Sequence, residues 1–277
     1  MIVEPSIEGV RRWRREAGGS VGLVPTMGYL HAGHMSLVER ACAENDRVAV
    51  SIFVNPAQFS PREDLSTYPR ALDRDLDLLR AAGIDLVFTP DAATIYPPGF
   101  DTWVEPGAIA TVLEGAARPG HFRGVCTVVL KLFTIVQPQR AYFGRKDAQQ
   151  LRVIQRMVAD LNLPVDVIPM PIVREAEGLA LSSRNSYLSI EERRAALALS
   201  RGLHAAEALW RGGEHGAAAL RAAVLDIIQD EPLASIEYVS LADGETLTEL
   251  NAAQTGALLS LAVRIGKTRL IDNVVLE

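Results

Sequence analysis

The stretch Gly22-Leu-Val-Pro-Thr-Met-Gly-Tyr-Leu-His31-Ala-Gly-His34 decides how this chain is read. Residues 21–24 form a short apolar run of the kind that fills a buried strand. The run ends at Pro25, Gly28 follows, and two histidines then flank Ala32 and Gly33. From Met35 the apolar residues recur at helical spacing, as Met35, Val38 and Cys42. His31 and His34 therefore fall where a strand passes into a helix N-terminus. The unpaired N–H groups and positive dipole end of such a terminus suit phosphate. Two imidazoles beside it add donors that can follow charge building on a phosphate. Taken alone, the motif also admits two surface histidines or a metal pair. Metal-binding helical pairs, however, are usually spaced i, i+4 with a glutamate between them.

Outward from this stretch, strand and helix patterns alternate. Strands are expected at 22–24, 48–54, 86–89, 141–143 and 165–168. Between them lie apolar stripes of helical period: Leu72, Leu76 and Leu79; Val125, Val128, Val129, Leu132, Phe133 and Val136; Leu151, Ile154, Val158 and Leu161. Apolar strands alternating with amphipathic helices imply an α/β fold, a doubly wound parallel sheet covered on both faces. Ligands bind such sheets beyond the carboxyl ends of the strands. His31 and His34 follow the first strand, Asn55 and Gln58 the second, and Lys146 and Asp147 a later one, so all emerge on one edge. After about residue 173 the character changes. Ser189-Ile-Glu-Glu192 reads as a capping box opening a long helix to about 210, which Gly212-Gly213 ends. A second helix to about 230 and strands at 236–241, 257–265 and 268–276 follow, giving a smaller α+β C-terminal domain with an antiparallel sheet. The expected division is 1–173 and 174–277.

The 277 residues carry a net charge of −6, which argues against a broad nucleic-acid-binding face but leaves room for a local basic pocket. Cys42 and Cys126 lie in apolar helical patterns and are expected in the core; two cysteines build no disulfide framework, in keeping with a reducing cytoplasm. The opening Met-Ile-Val-Glu-Pro does not look like a signal peptide, and no apolar run is long enough for a membrane span.

Four further constellations can carry chemistry. Asn55-Pro-Ala-Gln58-Phe59 offers amide groups to a small polar substrate, or is simply a turn. In Tyr142-Phe-Gly144-Arg-Lys146-Asp147-Ala-Gln-Gln150, a strand, a glycine, a lysine and a helix start place Lys146 near a bound phosphate. Asp147 can accept from ribose hydroxyls, cap the helix, or do both. Ser182-Ser183-Arg184-Asn185, in a loop with Gly178, can clamp a polyphosphate or be a solvated interdomain loop. Glu114-Gly-Ala-Ala-Arg118-Pro-Gly-His121-Phe-Arg-Gly124 reads as a mobile lid or an exposed charged turn. Glu63, Asp64, Asp73 and Asp75 are expected to remain surface carboxylates. Walker A, dinucleotide and nucleophile-elbow motifs are absent from the sequence.

Pro25-Thr-Met-Gly-x-Leu-His-x-Gly-His34, Asn55-Pro-x-Gln-Phe59, Tyr68-Pro-Arg70, Phe143-Gly-x-Lys-Asp-x-Gln-Gln150 and Ser182-Ser-Arg-Asn185, in this order, resemble the pantoate–β-alanine ligase family of the H-x-G-H nucleotidylyltransferase superfamily. The match runs from 24 to about 188 and is weaker beyond. The resemblance implies a Rossmann-like fold, a cytoplasmic homodimer acting in pantothenate and coenzyme A biosynthesis, and the substrates ATP, D-pantoate and β-alanine with Mg2+. It also implies a pantoyl-adenylate intermediate, with AMP and pyrophosphate as products. By matching positions it assigns His31, His34, Lys146 and Arg184 to catalysis. Met27, Gly28, His34, Gly144, Lys146, Asp147, Val173, Ser182, Ser183 and Arg184 are assigned to ATP, and Gln58 and Gln150 to pantoate. Tyr68, Arg118 and His121 are assigned to the second step or a lid. Arg145 departs from the family, which usually has Glu or Gln there.

Three other readings compete. A related nucleotidylyltransferase acting on a phosphorylated substrate would need more cations than Gln58 and Gln150 provide. A fragment of an aminoacyl-tRNA synthetase fits poorly with the acidic charge. A non-catalytic nucleotide-binding protein would have no need of the intact histidines, Lys146 and Ser182-Ser183-Arg184.

Overall fold

The computed structural model describes residues 1–61 and 63–277. The chain divides into two units, Met1–Arg145 with Gln149–Pro171, and Lys146–Ala148 with Ile172–Glu277. The first unit opens with β1 (Ile2–Glu4), α1 (Ile7–Glu16), β2 (Val21–Thr26), α2 (Ala32–Glu44), β3 (Arg47–Ile52), α3 (Leu72–Ala81) and β4 (Leu86–Phe88). Two single turns, α4 (Ala92–Ile95) and α5 (Glu114–Ala117), precede the long α6 (His121–Val136). Then come β5 (Arg140–Gly144), α7 (Ala148–Asp160) and β6 (Asp166–Met170).

The six strands form one sheet in the order β1-β4-β3-β2-β5-β6, with every neighbouring pair parallel. Both faces are covered, so alternate residues of each strand enter different cores. Leu23, Ala49, Phe88 and Ala141 pack with α1, α6 and α7, whereas Val24, Val50, Val87 and Tyr142 pack with α2 and α3. β2 is central, between β3 and β5. From it the chain steps outward to β3 and β4, then crosses back to β5 and β6. The carboxyl ends of β2 and β5 therefore flank the topological switch point, where such sheets bind ligands.

Some expectations are displaced. β1, an edge strand of three residues, carries no readable period. The buried face of α2 is Leu37, Val38 and Ala41; Cys42 is exposed, and only Cys126 lies in the core. Leu72 is exposed at the first position of α3, and that helix buries Asp75 and Leu79 instead. Leu161 is exposed just beyond α7. The stripe on α6 is buried throughout, as its apolar width requires.

In the second unit, α8 (Ile190–Arg211) and α9 (Ala217–Gln229) pack on an antiparallel sheet of β7 (Ala234–Ala242), β8 (Leu258–Ile265) and β9 (Thr268–Val275). The capping box forms: Ser189 Oγ accepts from the Glu192 N–H at 3.2 Å and Glu192 Oε2 from the Ser189 N–H at 2.9 Å. Among the described residues, no helix is long and apolar enough to cross a membrane.

One glycine fixes a contact at the site. Gly124 of α6 lies against the 3-10 turn Pro56–Gln58, and a methyl group on it would collide with the Ala57 carbonyl and crowd the Gln58 N–H. Backbone meets backbone there, so no side chain can yield. Gly124→Ala is expected to destabilise the protein by about 1–3 kcal/mol, measured as a lower denaturant midpoint at unchanged m-value.

Candidate active site

The turn from β2 into α2 is built from backbone conformations that a simple loop would avoid. Gly28 (φ 83°) and Tyr29 (φ 51°) are both left-handed. Thr26 Oγ1 donates to the Ser51 carbonyl at 2.7 Å and accepts from the Gly28 N–H at 3.2 Å, which ties the turn to β3. His31 is the N-cap of α2, and His34 occupies the third helical position. The His34 ring turns back so that Nδ1 accepts from the His31 N–H at 3.4 Å, and the two rings lie 4.0 Å apart. With Nδ1 accepting, the proton of the neutral His34 imidazole sits on Nε2, as a donor directed away from the backbone. The histidine pair is thus a local product of helix capping at the sheet's switch point.

Gln58 stands after β3. Its Nε2 contacts Met27 Sδ at 3.4 Å, which joins two residues that the family resemblance assigns to different substrates. Asn55, the other amide expected to bind substrate, does something else. Its Oδ1 accepts from the Ala57 N–H at 3.2 Å and the Tyr96 hydroxyl at 2.8 Å, and its Nδ2 donates to Gln58 Oε1 at 3.0 Å and the Gly124 carbonyl at 3.2 Å. All four positions of the amide are used, so Asn55 orients Gln58. Burial pushes the Tyr96 phenol up to about 12, which keeps its proton in place to donate.

The segment expected as a lid or a charged turn is partly internal. Glu114 and His121 are buried. His121 Nδ1 lies 2.9 Å from the Gln58 carbonyl and Nε2 lies 3.1 Å from Arg118 Nη1. A carbonyl only accepts and a guanidinium only donates, so His121 is neutral with its proton on Nδ1. Burial, and then the Arg118 charge, lower its pKa to about 4. Arg118 also pairs with Glu63 at 2.5 Å. Burial works against the Glu63 charge, but the Ser60 N–H and the guanidinium hold its carboxyl below the ordinary value. Glu63 is therefore not a surface carboxylate, and neither is Asp75, which is buried and accepts from the Tyr29 and Leu30 N–H groups. Tyr68 is buried edge-on to Phe59.

Gly144 closes β5, and Arg145 beyond it is exposed. Gln150 is half-buried on the first turn of α7. Its neighbour Gln149 is buried and bonds to the Glu114 N–H and to the Ile109 and Val112 carbonyls, a structural role the sequence did not suggest.

In the second unit, the Lys146 carbonyl accepts from Asn273 Nδ2 of β9 at 2.8 Å. The neighbouring Asp272 is buried, binds Arg174 through both oxygens at 2.6 and 2.9 Å, and also accepts from the Asn273 N–H at 2.8 Å. Asp147 is exposed. The Val173 carbonyl accepts from the Leu181 N–H at 3.0 Å, and Ser182 Oγ from the Arg184 N–H at 3.2 Å, as cap of the 3-10 turn Ser183–Tyr187. Asn185 bonds to Glu175 and the Ala180 carbonyl, and Arg193 holds Glu175 and the Asn185 carbonyl. The loop carrying Ser182, Ser183 and Arg184 is thereby fixed from behind. Among the described residues, no group of three or more His, Cys, Asp or Glu side chains could hold a metal ion.

Comparison with known proteins gives a consistent result. A family model described as Pantoate-beta-alanine ligase matches residues 3–275. The chain is 62% identical to pantothenate synthetase from Roseiflexus castenholzii over all of both chains. It resembles the crystal structure of pantothenate synthetase from Thermus thermophilus, with a TM-score of 0.97 and 47% identity over 100% of this chain and 99% of that one. It also resembles the pantoate–β-alanine ligase of Francisella tularensis, solved in complex with beta-gamma ATP and β-alanine. There the TM-score is 0.83 and the identity 36%, over 99% of this chain and 97% of that one.

The His121 geometry predicts an acid-linked loss of stability. Its folded pKa of about 4 lies below an unfolded value near 6.5, so the unfolded chain takes up the proton first. Stability should fall as pH drops from about 6.5 and level off below about 4, by at most roughly 3 kcal/mol. Urea denaturation of the wild type and His121→Gln at pH 7 and pH 4 should show the larger decrease in the wild type; equal decreases would show that His121 is not held neutral.

Proposed function

The chain belongs to the pantoate–β-alanine ligase family, and from that premise we propose a two-step reaction through a pantoyl adenylate. The overall activity is the ATP-dependent condensation of pantoate with β-alanine. A carboxylate is a poor electrophile, since an attacking amine would have to expel oxide. In the first step a pantoate carboxylate oxygen attacks the α-phosphorus of ATP, and the bond to pyrophosphate breaks. In the second, the β-alanine amine attacks the acyl carbon and AMP leaves, with loss of one amine proton. There is little covalent work for the protein in the first step, so positioning and charge stabilisation carry it.

One observation carries this reading: His31 and His34 pack 4.0 Å apart at the N-terminus of α2, beside the switch point of the sheet. The helix terminus and the Nε2 donor of His34 suit the negative charge that grows on the α-phosphate oxygens. Lys146 and Arg184 add cations, and Ser182 and Ser183 add hydroxyl donors for the β- and γ-phosphates. Met27, Gly28, Gly144, Asp147 and Val173 line the adenosine. Gln58, oriented by Asn55, and Gln150 hold the hydroxyls and carboxylate of pantoate through amide groups. Tyr68, Arg118 and His121 serve the second step or a lid over the site, and His121 and Arg118 engage the Gln58 carbonyl.

Magnesium is proposed to accompany ATP. Such an ion would take oxygen ligands chiefly from the nucleotide and water and would need few ligands from the protein. When bound it would supply positive charge to the phosphates, beside that of Lys146 and Arg184. We further propose that the protein acts as a cytoplasmic homodimer.

The test is exchange of labelled pyrophosphate into ATP, with magnesium and without β-alanine. Exchange should require D-pantoate. His34→Ala and Lys146→Ala should fold normally and exchange roughly 10²–10³-fold more slowly, the scale of one electrostatic contact to a transition state. Near-normal rates in both variants would refute these roles.

A further inference from the structure

The turn that delivers His31 is held by a residue on another helix. Asp75 of α3 is only 1% exposed, and each of its carboxylate oxygens accepts one backbone N–H, from Tyr29 at 2.7 Å and from Leu30 at 2.8 Å. The neighbouring Arg74 donates from Nη2 to the Leu30 carbonyl at 3.1 Å, and its guanidinium lies 5.4 Å from the centre of the Tyr29 ring. The start of α3 thus grips both the donors and an acceptor of the same two residues.

That grip falls where the turn is least able to hold itself. Gly28 and Tyr29 are consecutive left-handed residues, and for tyrosine this conformation is unfavourable without external support. A cavity of about 290 Å³ borders the turn, with Met27, Gly28, Tyr29, Ile52, Arg70 and Asp75 itself among its lining, so apolar packing alone does not hold the turn and Asp75 stands in the cavity wall. The fit around Gly28 is close: a methyl group there would stand 3.2 Å from Asp75 Oδ2 and 3.0 Å from Ile52 Cγ2. Leu30 is followed directly by His31, so the direction in which the chain leaves Asp75 sets the N-cap and, through it, the His34 ring.

We propose that Asp75 is a positioning residue for the adenylation step, with Arg74 as its auxiliary. This rests on the reaction proposed above. Asp75 acts through the main chain: by holding the Tyr29 and Leu30 N–H groups it fixes the turn between Gly28 and His31, and with it the approach of His31 and His34 to the α-phosphate. A displacement of about 1 Å in such a group is enough to slow a reaction about 10²-fold.

Asp75→Asn tests it, because the amide keeps the shape of the carboxylate but turns an NH2 toward one of the two N–H donors. In the pyrophosphate exchange assay, the variant should lose about 10- to 100-fold in kcat per ATP-binding site. Sites are counted by calorimetric titration, so loss of folded protein is separated from loss of rate. Arg74→Ala, at an exposed position, should fold and lose about 2- to 10-fold; it carries the test if Asp75→Asn does not fold. Asp77→Ala, on the exposed side of the same helix, should match the wild type. Wild-type kcat per site in folded Asp75→Asn, or in Arg74→Ala when only that variant folds, would overturn the proposal, as would a loss accounted for entirely by missing sites. Exchange by the wild type without pantoate would instead fail the reaction scheme. Weaker ATP binding by Asp75→Asn would still support the anchor in that case, and unchanged binding would overturn it.

Discussion

Strand β2 lies between β3 and β5, and the chain leaves these neighbours toward opposite edges of the sheet. That single constraint determines what the carboxyl edge of the first unit can do. A right-handed crossover covers the sheet faces but cannot close the crevice where successive connections diverge. The residues after β2 are therefore released beside open space rather than into a packed layer. Because β2 is covered on both faces, it cannot shift register without moving Leu23 and Val24 into the wrong cores. The turn after it starts from a fixed point.

A turn leaving a rigid strand beside an open crevice still has to satisfy its backbone groups. Here that work falls to polar side chains acting on main-chain atoms. Thr26 receives Gly28, Asp75 receives Tyr29 and Leu30, and His121 holds the Gln58 carbonyl. The second unit uses the same device, with Asn273 on the Lys146 carbonyl and Asp272 between Arg174 and the Asn273 N–H. Thr26, Asp75, His121 and Asn273 each engage the backbone of, or next to, a residue proposed to meet substrate. Asn55 goes further by fixing the amide of Gln58 itself.

This division explains what could be read from the sequence. Strands with continuous apolar runs, the α6 stripe, the capping box at Ser189 and the histidines at the start of α2 are all local signals, and local signals survive in one dimension. The antiparallel sheet of the second unit was visible for the same reason. The supporting residues left no such trace. Asp75 sits in Leu72-Asp-Arg-Asp-Leu-Asp77, a stretch whose charge reads as a solvated helix face, and its partners lie 45 and 46 residues away. Glu63 and Arg118 are separated by 55 residues, and Asn273 and Lys146 by 127. Gln149 and Gln150 are adjacent and chemically identical, so only the rotation of α7 distinguishes the buried tie from the half-buried candidate. Cys42 failed in the opposite sense: an apolar period one residue out of phase with the true face of α2 placed an exposed thiol in the core.

The charge distribution follows from the same arrangement. A chain with a net charge of −6 is proposed to bind ATP, itself a polyanion, together with a carboxylate substrate. Net charge matters little at this range, since exposed charges are screened beyond roughly 10 Å; what matters is which carboxylates lie near the carboxyl edge and what neutralises them. Asp75 faces two N–H dipoles and Glu63 faces Arg118 and the Ser60 N–H. Each of these anions is compensated within its own unit, so neither offsets the dipole of the α2 N-terminus or the Arg74 charge beside the turn. Pairing has a second effect: a buried carboxylate with a backbone N–H on each oxygen accepts less readily from elsewhere. The interactions that hold the turn in shape are thus the same ones that keep its acidic supports from competing with phosphate.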